Sequence, residues 1–260
     1  MPGVVKAYKP GQGQDRVATR FSPTTDLEVS VLGTFRFWAQ GNALPAVRGG
    51  SQRLLALLGL RDRALTRASV AGTLWPESSE DHAYSSLRSA LGRLSRMTRD
   101  AVLVTPLDLC LADEVTVDVR QSRKLAHRLL DPTTQVGAAD LSSDATATLS
   151  VDVLPDWYDD WVMVEAEEWR QLRLHALEAL ADRLLGEGRF GEAGGAAISA
   201  VRAEPLRESA RAALIRVHLA EGNQSEALRE FGRYQTLLQT DLGLEPTPHL
   251  CELIANLHTR

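Results

Sequence analysis

The stretch EDHAYSSLRSALGRLSRMTR, Glu80 to Arg99, separates into two faces when it is wound as one helix. Ala83, Leu87, Ala90, Leu91 and Leu94 recur at helical spacing and form an apolar stripe. Tyr84, Ser85, Arg88, Ser89, Arg93 and Arg96 fall largely on the other side. From His82 to Arg99 the stretch holds Arg88, Arg93, Arg96 and Arg99 and no acid. An apolar back with an arginine and serine front suits a DNA major groove. Arginine bridges the two acceptors of guanine, and serine reaches a base edge or a phosphate. The same pattern also describes an ordinary surface helix with a solvated basic face, so the flanking sequence has to decide.

Upstream, Leu27, Val29 and Val31 alternate with polar residues, and Phe35 and Phe37 resume the pattern after Gly33. This predicts a strand pair or small meander, with a turn at Gly41-Asn42 and a further short strand over 44–47. A strongly apolar helix is expected from near Ser51, carrying Leu54, Leu55, Leu57, Leu58 and Leu60. A second helix is expected from Thr66, a suitable N-cap, to Trp75, where Pro76 stops it. Ser78 or Ser79 caps the arginine helix, with Glu80 and Asp81 well placed in its first turn. Val102 to Val104 and Leu107 to Leu111 read as a hairpin around Thr105-Pro106. Strands, three helices and a hairpin make a winged helix-turn-helix whose third helix is the reader and whose hairpin is the wing.

Residues 120–130 read as a short amphipathic helix, and 131–150 as a loop or weak helix around 138–149. In LPDWYDDWV (154–162), Asp152, Asp156, Asp159 and Asp160 stand close enough to suggest paired carboxylates. Trp157 and Trp161 are four apart, which favours a helix start anchored by two indoles. From Glu165 onward the chain reads as all helical. EGRFGEA at 187–193 returns as EGNQSEA at 221–227, an offset of 34 residues, which is the period of tetratricopeptide helix pairs. Gly188 and Gly222 fall at the turns, Ala193 and Ala227 where helices approach closely, and Pro205 where a unit ends. Such a unit cannot bury its face alone, so helices before Gly186 and after Pro246 should complete the stack.

The fold expected is therefore mainly α with a small β part. A tail at 1–26 precedes a winged helix over 27–118 and an all-α, tetratricopeptide-like domain over 119–260. The chain of 260 residues has a net charge of −5. Residues 27–118 carry ten basic and ten acidic side chains, whereas 119–260 carry fifteen and twenty-two. Phosphate would be repelled by the second part, so any DNA binding belongs to the first. Cys110 and Cys251 form no zinc spacing, which fits a reduced cytoplasm. No apolar run approaches the ~18 residues that span a membrane. The histidines are scattered, with no acid or cysteine at a catalytic or metal-binding spacing, so neither an enzyme, a metal site nor a cofactor is expected.

With its order of domains, the chain resembles the Streptomyces antibiotic regulatory proteins. LGTF, SQRLLALL, and LW before a serine-rich loop and SSLRSALGRLSR resemble their DNA-binding half. VLPDWYDDW and AEPLRESARAALIRVHLAEGNQSEALREFGRYQTLLQTDLGLEP (203–246) resemble the bacterial transcriptional activation domain that follows it. The resemblance covers about 27–258. It implies a cytoplasmic, nucleoid-associated activator of secondary-metabolite (antibiotic) gene clusters. Such an activator binds direct repeats in double-stranded DNA near promoters and recruits RNA polymerase holoenzyme, with self-association possible on the DNA. With no GxxxxGK[ST] phosphate loop, the chain resembles the small form and no ATP dependence is expected. By the resemblance, Arg88, Arg93 and Arg96 face the groove, and Ser85, Ser86 and Ser89 are candidate base or phosphate contacts; Tyr84, on the same face of the helix, is a further candidate. Arg48, Gln52 and Arg53 match a segment that touches the backbone. The sequence departs from the family at Gly92 and Ser95 in the reading helix, and in the wing, where TPLDLCL replaces a common Gly-Tyr. The alternative is a helical-repeat interaction module whose winged helix does not read DNA.

Overall fold

A computed structural model of the protein describes residues 26–45 and 47–255; the expected tail at 1–26 lies outside them except for Asp26. Strands β1 (Leu27–Ser30), β2 (Arg36–Ala39) and β3 (Asn42–Ala43) form the expected meander. The alternation is kept, with Leu27, Val29, Phe37 and Ala39 turned into the core. Gln40 and Gly41 turn the chain at positive φ. The strand expected over 44–47 is absent among its described residues, because β3 ends at Ala43.

Helices α1 (Gly50–Leu60), α2 (Arg67–Leu74) and α3 (Glu80–Gly92) follow, with β4 (Leu65–Thr66) between the first two. Thr66 caps α2 as its sequence suggests, accepting from the Ser69 amide at 3.1 Å. Then come α4 (Arg96–Asp100), β5 (Val102–Val104), β6 (Asp108–Leu111) and β7 (Val115–Val117). The wing is the hairpin β5–β6, to which β4 adds a third strand in the order β4-β6-β5. The first sheet has the order β3-β2-β1-β7, with β7 parallel to β1. Neither β4 nor β7 is legible locally, since two or three residues hold no periodicity.

The array comprises α5 (Asp118–Leu130), α6 (Ser143–Leu149), α7 (Asp160–Gly186), α8 (Phe190–Ala203), α9 (Glu208–Ala220), α10 (Gln224–Leu242) and α11 (Pro248–Ala255). The echoed segments are the turns from α7 to α8 and from α9 to α10. Gly188 and Gly222 adopt φ of 74° and 85° there, a region where a side chain is strained. Ala193 and Ala227 are fully buried at the helix crossings. The fold is thus a winged helix-turn-helix followed by a tetratricopeptide-like array. The expected helix at 138–149 is shorter, beginning only at Ser143.

One apolar core runs through both parts, from Leu27 to Val217. Polar contacts across it fix their relation. The Asp118 carboxylate accepts from the amides of Val31, Leu32 and Val119 at 2.7–3.1 Å. Burial raises its pKa above the ordinary carboxylate value, and these amides offset only part of that rise. Arg120 donates to the carbonyls of Leu58, Gly59 and Arg61, placing a cation on the negative end of α1. Glu165 of α7 is buried between Arg61 and Arg123, at 2.6 and 2.8 Å. Gly33 and Leu154 exchange backbone bonds with Asp152 and Val31, so the 151–154 segment extends the end of β1.

Candidate nucleic-acid interface

The predicted stripe of α3 is buried in full: Ala83, Leu87, Ala90, Leu91 and, just beyond the helix, Leu94. Ser85, Arg88 and Ser89 are exposed, and Tyr84 and Ser86 are half-buried at the margin. Glu80 and Asp81 occupy the first turn, where the helix dipole favours carboxylates. The Ser79 hydroxyl does not cap the helix and instead bonds His82 Nδ1 at 2.8 Å. Two contacts seat α3 on the base. Ser51 Oγ donates to the Ala90 carbonyl at 2.7 Å. Gly50 of α1 also faces α3, where a Cβ would lie 3.5 Å from the Ala90 Cβ.

The arginine stretch is not one helix to Arg99. Helix α3 stops at Gly92, with Arg93 as its C-cap, and a new turn, α4, starts at Arg96. Glycine is the weakest helix former apart from proline. Ser95 then caps α4 and accepts from the Thr98 amide at 3.3 Å. Arg99 turns back to donate to the Leu91 carbonyl at 3.1 Å, so it satisfies a carbonyl at the end of α3.

The break divides the cations. Arg88 stands on α3 beside Ser85 and Ser89. Arg93 and Arg96 join Arg48, from the loop before α1, around an open depression of about 580 Å³ whose floor includes Leu44, Val47 and Met97. Arg48, Arg88, Arg93 and Arg96 are all exposed and have no ion-pair partner among the described residues. Gln52 is half-buried on α1. Arg53 does not join the group, because its guanidinium is paired with Asp159 at the N-cap of α7. Asp152 is likewise paired with Arg173. Two of the four clustered aspartates therefore hold elements together, and Trp157 packs between Phe35 and Trp161 at 6.2 and 6.3 Å.

The wing tip is apolar. Leu103, Val104 and Leu107 are exposed, Leu107 by 74%, and no cation lies between Val102 and Leu111. Sequence reasoning passed over Arg67. The strand pairing of β4 with β6 brings it beside the wing turn, where its amide donates to the Leu107 carbonyl at 2.8 Å.

Residues 117–258 match the bacterial transcriptional activator domain. The chain belongs to that family and, with its winged helix, to the Streptomyces antibiotic regulatory proteins. It is 30% identical over 247 residues to Regulatory protein AfsR of Streptomyces coelicolor, across 87% of this chain and 24% of that protein. The AfsR of Streptomyces griseus is 29% identical over 240 residues, with the same coverage. The chain thus spans about a quarter of the length of these relatives. Its fold is also that of Mycobacterium tuberculosis EmbR, solved in complex with a low affinity phosphopeptide. The TM-score is 0.68 at 23% identity, over 90% of this chain and 65% of that one.

Proposed function

We propose that this protein is a transcriptional activator that reads double-stranded DNA with α3. Residues 27–118 bind the DNA, and 119–260 serve activation. The supporting observation is the sorting of α3. Its apolar residues are buried on α1 and α2, while Ser85, Arg88 and Ser89 project outward with a guanidinium that has no ion-pair partner among the described residues. Arg88 is the candidate base contact, with Tyr84 and Ser86 at the margin. Arg48, Arg93 and Arg96 are candidate phosphate contacts, and Gln52 is an accessory to them. Family membership supports the finer reading: direct repeats near promoters of a secondary-metabolite cluster, adjacent copies on the DNA, and recruitment of RNA polymerase holoenzyme.

Selection from a random duplex pool, followed by a salt titration, tests this. A spaced direct repeat is expected, with affinity falling steeply as salt rises. Arg88→Ala should cost about 1–3 kcal/mol and relax one position. Loss of each phosphate contact should flatten the log–log salt slope by about 0.9. Unchanged affinity of the Arg88, Arg93, Arg96 triple alanine variant would remove this face as the reader. The cation-free wing favours a second reading, in which the winged helix is a protein-docking platform and the array binds a partner. Absence of any enriched sequence from well-folded protein would select it.

A further inference from the structure

We propose that the N-terminal part of α7 is a docking face for a basic amphipathic helix of a second protein. Trp161, Val162, Glu165 and Trp169 point into the core. Asp160, Met163, Val164, Glu167, Glu168 and Gln171 form an exposed ridge at helical spacing on the other side. Met163 and Val164 are each 54% exposed, and Tyr158, just before the helix, is 82% exposed. Met163 and Val164 stand side by side on the ridge as an apolar patch, with Tyr158 a turn before them in the chain.

Carboxylates frame the patch: Asp156 and Asp160 at one end, Glu167 and Glu168 at the other, all exposed. The cation nearest in sequence, Arg170, is taken up by Glu167 and Glu204. Hydrogen bonds from Arg170 and Gln171 hold the Glu167 carboxyl down to about 2, so it stays ionised. An apolar centre within an acidic frame calls for apolar side chains flanked by lysine or arginine. The ridge is helical, and ridge-into-groove packing favours a helix on it. The patch is also rigid. Arg53 holds Asp159 at its start, and Glu165, six residues further on, is clamped by Arg61 and Arg123. Little ordering is left for a partner to impose.

The face shares no residue with the α3 surface, and the proposal stands whatever that surface reads. The probe is a synthetic helical peptide with leucines on one face and lysines on the other. Its controls are a version with glutamate for lysine and a scrambled version. The full chain holds three methionines, so methyl labelling separates Met163 from Met97 in the α4 depression. The basic peptide is expected to shift the Met163 methyl and leave Met97 in place, with an affinity that falls as salt rises. Met163→Ser with Val164→Ser should weaken it about tenfold or more, and Glu167→Gln with Glu168→Gln should reduce its salt dependence. Unaltered circular dichroism checks the fold of both variants, and DNA affinity should not change.

Equal binding by the acidic or scrambled peptide, or shifts at Met97 without Met163, would overturn the proposal. Displacement of the probe by a synthetic peptide of residues 1–25 would assign the face to this chain's own N-terminal segment. Self-association that the Met163, Val164 double variant abolishes would assign it to a second copy. Either result also overturns the proposal.

Discussion

Glu165→Gln is the substitution that most directly tests how the two parts of the protein are joined. The Glu165 side chain is only 2% exposed, yet it faces Arg61 at 2.6 Å and Arg123 at 2.8 Å. Arg123 donates a directed hydrogen bond, while Arg61 is a close charge pair. Glutamine keeps the shape and removes the charge, leaving two guanidinium groups with no carboxylate between them. Breaking a buried pair in this way costs about 3–5 kcal/mol. Here Arg61 and Arg123 keep 35% and 23% exposure, and Arg123 also donates to the Leu60 carbonyl at 3.3 Å. Both cations stay partly solvated, which places the loss at the lower end, about 3 kcal/mol. In a chain of this size that lowers Tm by about 6–12 °C. Urea unfolding followed by circular dichroism and by tryptophan fluorescence measures it, the five indoles of the second probe including Trp161 and Trp169 on either side of Glu165. Replacing Arg61, Arg123 and Glu165 together by apolar residues should recover most of the loss. A Glu165→Gln variant within about 0.5 kcal/mol of wild type, the range of ordinary surface changes, would refute the clamp.

Arg53→Ala should lower stability by about 1–2 kcal/mol through loss of the charged hydrogen bond to Asp159, while leaving the salt slope of DNA binding as it was. A slope reduced by about one would return Arg53 to the DNA face. Gly195 lies on the exposed side of α8, and a Cβ there meets nothing within 4 Å. Gly195→Ala should therefore stabilise the protein by about 0.5–1 kcal/mol, and thermal melts showing a loss would contradict that. The Thr133 and Thr134 hydroxyls and the Thr133 amide hold the Asp131 carboxyl down at about 2, against an ordinary 3.8. A depressed folded value contributes stability above pH 4 that is lost as pH falls towards 2. In Thr133→Ala with Thr134→Val, the Asp131 titration followed by NMR should move back towards the ordinary value; an unmoved titration would discard those bonds as the cause.

The sequence by itself determined the helices, their faces and the repeat. The stripe Ala83, Leu87, Ala90, Leu91 and Leu94, the Thr66 cap and the glycines at 188 and 222 all express rules that act within a few residues. A local rule needs no knowledge of the rest of the chain. Local signals also hinted at the break after Gly92, but the cap at Ser95 and the return of Arg99 to Leu91 had to be seen for one helix to become two. The destination of each charge was not local at all. Arg53 lies beside Arg48 in sequence, and both read as backbone contacts. In the fold Arg53 goes to Asp159, 106 residues away, while Arg48 meets Arg93 and Arg96. The parallel pairing of β7 with β1, the third strand of the wing and the clamp on Glu165 belong to the same class. They join segments that only the packed core brings together, because burial is what makes a distant opposite charge or an open strand edge the best partner available.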